Sequence, residues 1–509
     1  MENQNPNQNF QPYQPPYPQQ PQWPPVLPDF FTGKREVIFA ALLAVFSVAL
    51  WNNILFGGLN LGAAVAVVAV LCCSFVYLLC SGRRPDWYTG TMLLFGILAA
   101  AGFARSDDGF VKFVAATFIL ITANLSFCLM AGQNRRPAGG VTSLLDAPRA
   151  FFMLGFGGMG RASRGLANAV KNAGTAGKRG GALALGLIVA APVVIVMVFL
   201  LMKADAAFEG LMDLLPQLNV AEAIVSLLFG LFCGFLLYTR SVALHRSERP
   251  APVGKGSFRG WEKLTVNTVL VAVCLVYTVY LLSQIAYFSG GFSGILPEGY
   301  TMAEYARRGF FEMAQLCAIN LGVIWLACGL VRKTPKTPLF TRILCLFVGL
   351  VTIFLVCTAS AKMLLYIGGY GLTRLRVLTE VIMVFLGITT ALVCVWLFVP
   401  KLPYMKIVMV LALVLTVAVL WVDVDTLVAS YNVSAYQAGR LKEIDVYYLA
   451  ELNSSAVPWL QVLTEDPNPR VARLAAAMLR SRDGAISDFR GWNWSAAEAW
   501  EILKQYWNT

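Results

Sequence analysis

The sequence predicts an all-α fold, a polytopic transmembrane helical bundle, from three observations. Eleven apolar stretches of 18 to 24 residues recur along the chain, and each is long enough to cross a hydrocarbon core of ~30 Å as a helix. Hydrophobic residues make up 58% of the chain and charged residues only 13%, whereas soluble domains carry roughly 25% charged residues. The connections between the stretches alternate between many and few Lys and Arg residues, which is the pattern that orients helices in a membrane.

These apolar stretches divide the chain into three parts. Residues 1–32 are rich in Pro, Gln and Asn, a composition that predicts a disordered tail. Residues 33–422 form the transmembrane helical domain. Residues 423–509 have the composition of a small soluble helical domain, with helix-start signals at 466–469 and 495–498. The eleven expected spans are Val37–Phe56, Leu59–Cys80, Trp87–Ala104, Phe110–Met130, Ala182–Met202, Val220–Tyr238, Leu264–Tyr287, Met313–Val331, Ile343–Tyr366, Val377–Val399 and Tyr404–Val422.

The charges of the connections predict the orientation of the chain. If the N-terminus is cytoplasmic, the cytoplasmic connections hold 24 Lys and Arg residues and the extracytoplasmic ones before residue 423 hold eight. This bias places the tail in the cytoplasm and the C-terminal domain outside it. The formal net charge of +12 then reflects orientation. No nucleic-acid partner is expected, since the basic residues do not form one soluble face interleaved with aromatic residues.

The sequence predicts neither a metal site nor a cofactor, and it assigns no catalytic residue. All eleven cysteines fall in apolar spans without the spacing of a zinc site. The single histidine, His245, lies in a basic connection and is expected to be a solvated bystander. Residues 155–160 match the pattern Gly-x-Gly-x-x-Gly, but no strand precedes them and no acidic residue follows at the distance that a dinucleotide site requires.

The basic connection 131–181 is typical of a segment that lies on a membrane surface. Its aromatic residues, such as Phe151, Phe152 and Phe156, would enter the acyl boundary while its cations face anionic head groups. A flexible linker is the alternative interpretation. The candidates for lipid head-group contact are Arg149, Arg161, Arg164, Lys171, Lys178 and Arg179.

The extracytoplasmic connection 289–312 holds a first group of candidate ligand- or partner-binding residues. The pattern Thr301-Met-Ala-Glu304 predicts a helix start, and charged residues of opposite sign then follow one turn apart. Two interpretations stay open, a charge-paired helix end and an external binding rim. The candidates are Glu304, Arg307, Arg308 and Glu312.

A second group of candidates surrounds the connection 366–376. Ionisable residues inside a span are costly and are functional hypotheses by default. Lys362 pairs with Glu380 across the hairpin, or Arg376 pairs with Glu380 along one helix, or Lys362 snorkels to the interface. The candidates are Lys362, Tyr366, Tyr370, Arg374, Arg376 and Glu380.

Three carboxylates between the fifth and sixth spans recur every four residues, at Asp205, Glu209 and Asp213. This spacing places them on one face of a short external helix. A solvated polar face is the favoured interpretation, and attraction of cations is the alternative.

Three linked motifs resemble a known family. They are residues 296–312 (LPEGYTMAEYARRGFFE), residues 362–376 (KMLLYIGGYGLTRLR), and residues 424–432 (VDTLVASYN) with 445–449 (DVYYL) and 456–458 (AVP). Together they resemble a bacterial family of polytopic membrane proteins that carry a domain of unknown function, over roughly residues 260 to 509. The resemblance implies a multi-pass protein of the bacterial plasma (inner) membrane, and it implies no catalytic residue.

From these observations we expect a non-enzymatic envelope sensor, assembly factor or interaction platform. Its expected partners are membrane lipids and another envelope protein that binds the C-terminal domain. A secondary transporter of a small solute is the main alternative, with Lys362 and Glu380 on the path and Pro192 breaking a helix. A membrane enzyme that acts on a lipid-linked substrate is the second alternative, and it would use Glu304, Glu312, Arg307 and Arg308.

Overall fold

The structure of the protein is a computed structural model of the full chain. It describes residues 30, 33–138, 141–172, 220–247, 261–291, 310–330, 337–482 and 489–507, together with isolated positions between 186 and 205 and position 250. Most of the expected fifth span, most of the tail and the connection 292–309 lie outside the described residues.

The described residues are helical, and sixteen of their helices build the architecture. In chain order they are α1 Lys34–Phe56, α2 Leu61–Cys80, α3 Trp87–Gly102, α4 Gly109–Met130, α5 Leu154–Asn172, α6 Val220–Arg246, α7 Lys263–Gly291, α8 Phe310–Leu330, α9 Leu339–Tyr370, α10 Arg374–Phe398, α11 Tyr404–Val422, α12 Val424–Gln437, α13 Val446–Glu451, α14 Val457–Leu463, α15 Pro469–Arg480 and α16 Trp494–Trp507.

The long helices have the length and composition of membrane spans. Nine described helices are apolar enough to cross a bilayer, and α3 is a shorter apolar helix beside them. Many of their large apolar side chains point outward, among them Leu264 at 75% exposed and Phe113 at 67%. Helices that are apolar all around belong in lipid. The protein is therefore a multi-pass membrane protein, as the sequence predicts.

The bundle consists of two packed groups of helices. Helices α1 to α4 and α6 share one apolar core, which includes Leu43, Leu78 and Phe127, and helices α7 to α11 share two further cores. A smaller cluster that includes Met92, Leu125 and Leu413 joins α3 and α4 to α11. Through this cluster, α11 connects the two groups of helices.

The two ends of the bundle differ. We call the end of the bundle that contacts the C-terminal helices the cap face. At this end, the backbone N–H of Trp494 donates to the carbonyl of Ala104 at 2.8 Å. At the opposite end, the basic face, Arg246 and Glu36 form an ion pair at 2.7 Å. The described ends of α2, α4, α6 and α10 lie at the basic face.

The C-terminal helices α12 to α16, which we call the cap, have an apolar core of their own. Val428, Leu449, Leu460 and Leu479 are buried within it. The start of α15 follows the sequence signal, since the Asn468 side chain accepts from the Arg470 N–H at 3.0 Å. The start of α16 differs, because Asn493 and not Ser495 caps it, accepting from the Ala496 N–H at 2.8 Å. Trp494, the first residue of α16, is 58% exposed.

A close contact between α1 and α6 yields a stability prediction. A Cβ at Gly230 would lie 2.4 Å from the Val48 Cα, which is backbone and cannot rotate away. We expect Gly230→Ala to lower the midpoint of thermal unfolding in detergent, since overpacking costs about 1–3 kcal/mol. Gly322→Ala is the matched control, because nothing lies within 4 Å of its added Cβ. Equal midpoints for the two variants would contradict this packing.

Candidate functional site

Arg374 joins the bundle to the cap through two carboxylates. Its guanidinium donates to both oxygens of Asp425 in α12, through Nε at 2.8 Å and through Nη2 at 2.6 Å. Its Nε also lies 3.0 Å from the Asp108 Oδ2. Asp108 caps α4 by accepting from the Val111 N–H at 2.9 Å. The two carboxylates are buried, Asp425 at 0% and Asp108 at 2% exposed, and Arg374 is the cation in direct contact with both of them.

Asp423 turns the chain from the last apolar helix into the cap. It is the one described non-glycine residue with a positive φ, 56°, a conformation that Asp tolerates better than most residues. Its Oδ2 accepts from Ser455 at 2.5 Å and from Ser495 at 3.0 Å. Ser455 and Ser495 belong to different parts of the cap, so this buried carboxylate holds them together at the junction with α11.

A second polar group lies beside the first, between α2, α4 and the start of α16. Lys112 is 4% exposed and donates to the Asn60 Oδ1 at 2.6 Å. Asn493 donates to the same Asn60 oxygen at 3.2 Å and to the Asp107 Oδ1 at 3.1 Å. Ser454 donates to the other Asp107 oxygen at 2.8 Å. These hydrogen bonds tie the cap to two bundle connections at once.

The backbone and a surface ion pair extend this contact. The Leu61 N–H at the start of α2 donates to the Trp492 carbonyl at 3.1 Å. Arg490 forms an ion pair with Glu222 of α6 at 2.6 Å. A Cβ at Gly57 would lie 2.4 Å from the Arg490 Cβ, so the absence of a side chain at Gly57 permits the cap to approach α1.

The short turn between α9 and α10 is held by the cap. Asn432 accepts from the Leu372 N–H at 2.7 Å and donates to the Leu372 carbonyl at 2.8 Å. Tyr448 accepts from the Arg374 N–H at 2.8 Å. Burial raises the pKa of the Tyr448 phenol, so this hydroxyl keeps its proton at neutral pH. The turn is therefore fixed to α12 and α13.

We call these contacts the polar junction. Its members have buried or partly buried polar groups that satisfy one another across the boundary between bundle and cap. They are Asn60, Asp107, Asp108, Lys112, Leu372, Arg374, Asp423, Asp425, Asn432, Tyr448, Ser454, Ser455, Asn493 and Ser495.

Comparison with protein families identifies the region that contains most of this junction. The family model DUF4153, a domain of unknown function, matches residues 92–463. The chain belongs to the DUF4153 family. This DUF4153 region begins inside α3 and ends with α14, so it starts earlier and stops earlier than the sequence motifs indicate. No curated protein and no solved structure matches the chain.

The DUF4153 region holds both acidic sides of the junction. Asp107 and Asp108 stand near its start, and Asp423 and Asp425 stand near its end. Asn60 and Asn493 lie outside it on either side. Within the described residues, no group of three or more His, Cys, Asp or Glu side chains could hold a metal ion.

Arg374 is the one candidate residue from the sequence that the junction contains. Helix α9 continues to Tyr370, so Tyr366 and Tyr370 are helical and the connection shortens to residues 371–373. Arg376 does not reach Glu380, and its guanidinium donates to the carbonyls of Tyr370 and Gly371 and covers the Tyr366 ring at 4.0 Å.

The other described candidates of the sequence lie apart from the junction. No ion pair joins Lys362 to Glu380 among the described residues, and the Glu380 Oε2 is buried without a hydrogen-bond partner. Glu312 is exposed at the start of α8. Glu304, Arg307 and Arg308 lie outside the described residues, as do Glu209 and Asp213. Their proposed roles stay predictions.

Sequence reasoning missed the acidic half of the junction. Asp107 and Asp108 stand just before an apolar span, and Asp423 and Asp425 stand just after one. Each pair is typical of a helix boundary by itself. The only available signal was that two such pairs face the same side of the membrane in the predicted topology.

At the basic face, the connection after α4 is anchored by Asp146. This carboxylate is 0% exposed and accepts from the N–H groups of Arg135 and Arg136 at 3.1 Å each. Arg149 donates to the Gln133 carbonyl at 2.8 Å and lies 4.0 Å from Asp146. Arg149 therefore has protein partners, while Lys178 and Arg179 lie outside the described residues.

The glycine-rich segment forms the first half of α5 and is a packing surface. A Cβ at Gly155 would lie 3.0 Å from the Leu236 Cδ1, and one at Gly158 would lie 3.2 Å from the Thr239 carbonyl oxygen. A Cβ at Gly165 would overlap the backbone of Phe30. The glycines permit α6 and the end of the tail to pack on α5.

Several apolar side chains at the start of α5 and just before it point away from the protein. Phe152 is 56% exposed, Met153 68% and Phe156 47%, and the Phe152 and Phe156 rings stack with centroids 6.3 Å apart. Arg164 is exposed nearby on α5. An exposed apolar stripe with cations beside it is the arrangement that an interfacial helix needs.

The cap carries an open groove. Its volume is about 890 Å³, and its walls combine apolar side chains with charges of both signs. The lining includes Tyr436, Leu441, Lys442, Gln461, Val462, Glu465 and Asp466. Such a mixed lining resembles the polar rim and apolar centre of a protein contact.

Proposed function

We propose that this protein is a non-enzymatic interaction platform of the bacterial envelope, a sensor or an assembly factor. Its cap is extracytoplasmic and presents one surface to another envelope protein, while its basic face contacts cytoplasmic lipid head groups. The observation that carries the proposal is the polar junction, in which buried charges fix the cap to the bundle. A partner that moves the cap would thereby move helix ends in the membrane.

The placement of the connections supports this orientation. The described ends of α2, α4, α6 and α10 share the face opposite to the cap, and the connections that follow them in the sequence are rich in Lys and Arg. The positive-inside rule assigns such a face to the cytoplasm. The N-terminus is then cytoplasmic and the cap is outside. The exposed rings of Phe152 and Phe156 and the exposed Arg164 support lipid contact on the cytoplasmic side.

The transporter alternative receives less support from the bundle interior. The polar side chains between α7, α8 and α9 satisfy one another, since Tyr277 donates to Asn320 at 2.7 Å and Asn320 donates to Thr352 at 2.9 Å. These hydrogen bonds join the three helices to one another. Substrate-dependent flux in proteoliposomes would favour the transporter over the interaction platform.

Site-specific photo-crosslinking in living bacteria tests the proposal. A photoreactive residue at Lys442, inside the groove, is expected to give one discrete protein adduct, whereas the same residue at Glu501, exposed on α16, gives none. The adduct should weaken when Asn493→Ala loosens the junction at an equal protein level. The proposal fails if Lys442 and Glu501 yield the same adducts, or if neither position yields any.

A labelling experiment tests the orientation independently. Lys442→Cys is expected to react with a membrane-impermeant maleimide in intact spheroplasts, because the cap lies outside. Arg164→Cys on α5 is the matched control and should react only after the membrane is opened. The reverse order of labelling would contradict the orientation.

A further inference from the structure

An apolar groove runs along the membrane-spanning part of the basic half, between α1 and α2. Its volume is about 620 Å³. Ile38 and Leu42 line it from α1, and Val76 lines it from α2, at 59%, 43% and 53% exposed. The stacked rings of Phe39 and Tyr77, with centroids 4.1 Å apart, close its floor. The groove therefore opens sideways, where lipid surrounds the helices.

Two uncompensated arginines stand at the end of this groove. Arg35 lines the groove itself and donates to the Cys80 carbonyl at 2.8 Å. Arg83 donates to the His245 carbonyl at 3.4 Å. Among the described residues, neither guanidinium lies within 4.0 Å of a carboxylate, since the nearby Glu36 pairs with Arg246 at 2.7 Å.

These arginines interact with the same side chain. Arg35, Arg83 and Arg246 all interact electrostatically with the His245 side chain, and Glu36 is the single acid in that group. The mouth of the groove thus carries a surplus of positive charge at the membrane surface. An apolar groove below a cationic mouth has the two parts of a phospholipid site, one for an acyl chain and one for a phosphate.

We propose that this groove binds one anionic phospholipid, which we call the groove lipid. One acyl chain lies along Ile38, Leu42 and Val76, and the phosphate lies between Arg35 and Arg83. The acyl chain contributes by burying apolar surface in a preformed groove. The positive mouth selects an anionic head group over a zwitterionic one, because only the anionic lipid brings a net negative charge to these cations.

This site is separate from the polar junction and from the surface of α5. It lies at the opposite end of the bundle from the junction, and none of its residues belongs to the cap. The groove lipid would fill the gap between α1 and α2 at their basic ends. It would thereby fix the start of α1, where Arg246 and Glu36 join α1 to α6.

Native mass spectrometry of the full chain tests the proposal. The protein is released from mixed phosphatidylglycerol and phosphatidylcholine vesicles in a mild detergent, and bound lipids are counted. We expect one phosphatidylglycerol per chain to persist. The double variant Arg35→Gln with Arg83→Gln should weaken its binding roughly 30-fold, since two surface cations are lost. Arg342→Gln is the control, because Arg342 also donates only to a backbone carbonyl at the same face.

A second pair of variants tests the groove itself. Val76→Trp fills the groove and should abolish retention of the groove lipid. Val65→Trp is the matched control, because Val65 lies three turns away on the same face of α2 and is 61% exposed but does not line the groove. Equal retention by these two variants, or equal retention of both lipids by the unchanged protein, would overturn the proposal. Thermal unfolding midpoints check that each variant is folded.

Discussion

Replacing Arg374 with Gln is expected to cause the largest loss of stability of any single change at the junction. The substitution removes the cation between Asp108 and Asp425, two carboxylates that are 2% and 0% exposed, and it takes away the ion-pair partner that both of them contact. Breaking a buried ion pair costs about 3–5 kcal/mol. We expect the lower end of that range, since the Arg374 side chain is 32% exposed. The midpoint of thermal unfolding in nanodiscs measures the effect.

Arg376→Gln is the matched control for this prediction. Arg376 lies two residues further along the same helix and donates only to carbonyl groups of the turn. Its loss therefore leaves no buried carboxylate without an ion-pair partner. We expect a decrease of about 1 kcal/mol or less. Similar losses for the two variants would contradict the central place of Arg374 in the junction.

Gly371→Ala is expected to cause the second large loss of stability. Gly371 has φ 75° and ψ 179°, a region that is nearly restricted to glycine and costs other residues about 1–3 kcal/mol. A Cβ there would also lie 2.5 Å from the Asn432 Oδ1, so the Asn432 contact with Leu372 would break. We expect a lower unfolding midpoint together with faster hydrogen exchange at the Leu372 amide.

Gly369→Ala, two residues earlier, is the control for Gly371→Ala. Gly369 lies inside α9, and nothing lies within 4 Å of its added Cβ. Alanine in a helix is favoured over glycine by about 1 kcal/mol, so this variant should be as stable as the unchanged protein or more stable. A loss in both variants would indicate general sensitivity of the hairpin rather than a contact with the cap.

The spans could be predicted from sequence because their length and apolar character follow directly from the bilayer. The observed helices extend beyond the apolar stretches at polar ends, as at Lys34 and Arg374. Hydropathy cannot find these ends, because a helix continues past the hydrocarbon core wherever its backbone bonds are satisfied. The length of the connection 366–376 was overestimated for this reason, because α9 continues to Tyr370.

The polar junction could not be predicted, because its partners are far apart in the chain. Asp108 and Asp425 are widely separated in sequence, and only the packing of α11 against α3 and α4 brings them to Arg374. Local signals also misled at the start of α16. Ser495 has the spacing of a helix cap, but its hydroxyl donates to the Arg105 carbonyl and to Asp423, so Asn493 serves as the cap.

Hydrogen exchange at the Trp494 amide tests most directly whether the cap is fixed to the bundle. Trp494 is the first residue of α16, where an N–H has no partner within its own helix, and its acceptor is the Ala104 carbonyl at 2.8 Å. If the polar junction holds the cap, this amide in nanodiscs exchanges far more slowly than the amides of the exposed residues Lys442 and Glu443. Exchange at the rate of those exposed amides would contradict the account.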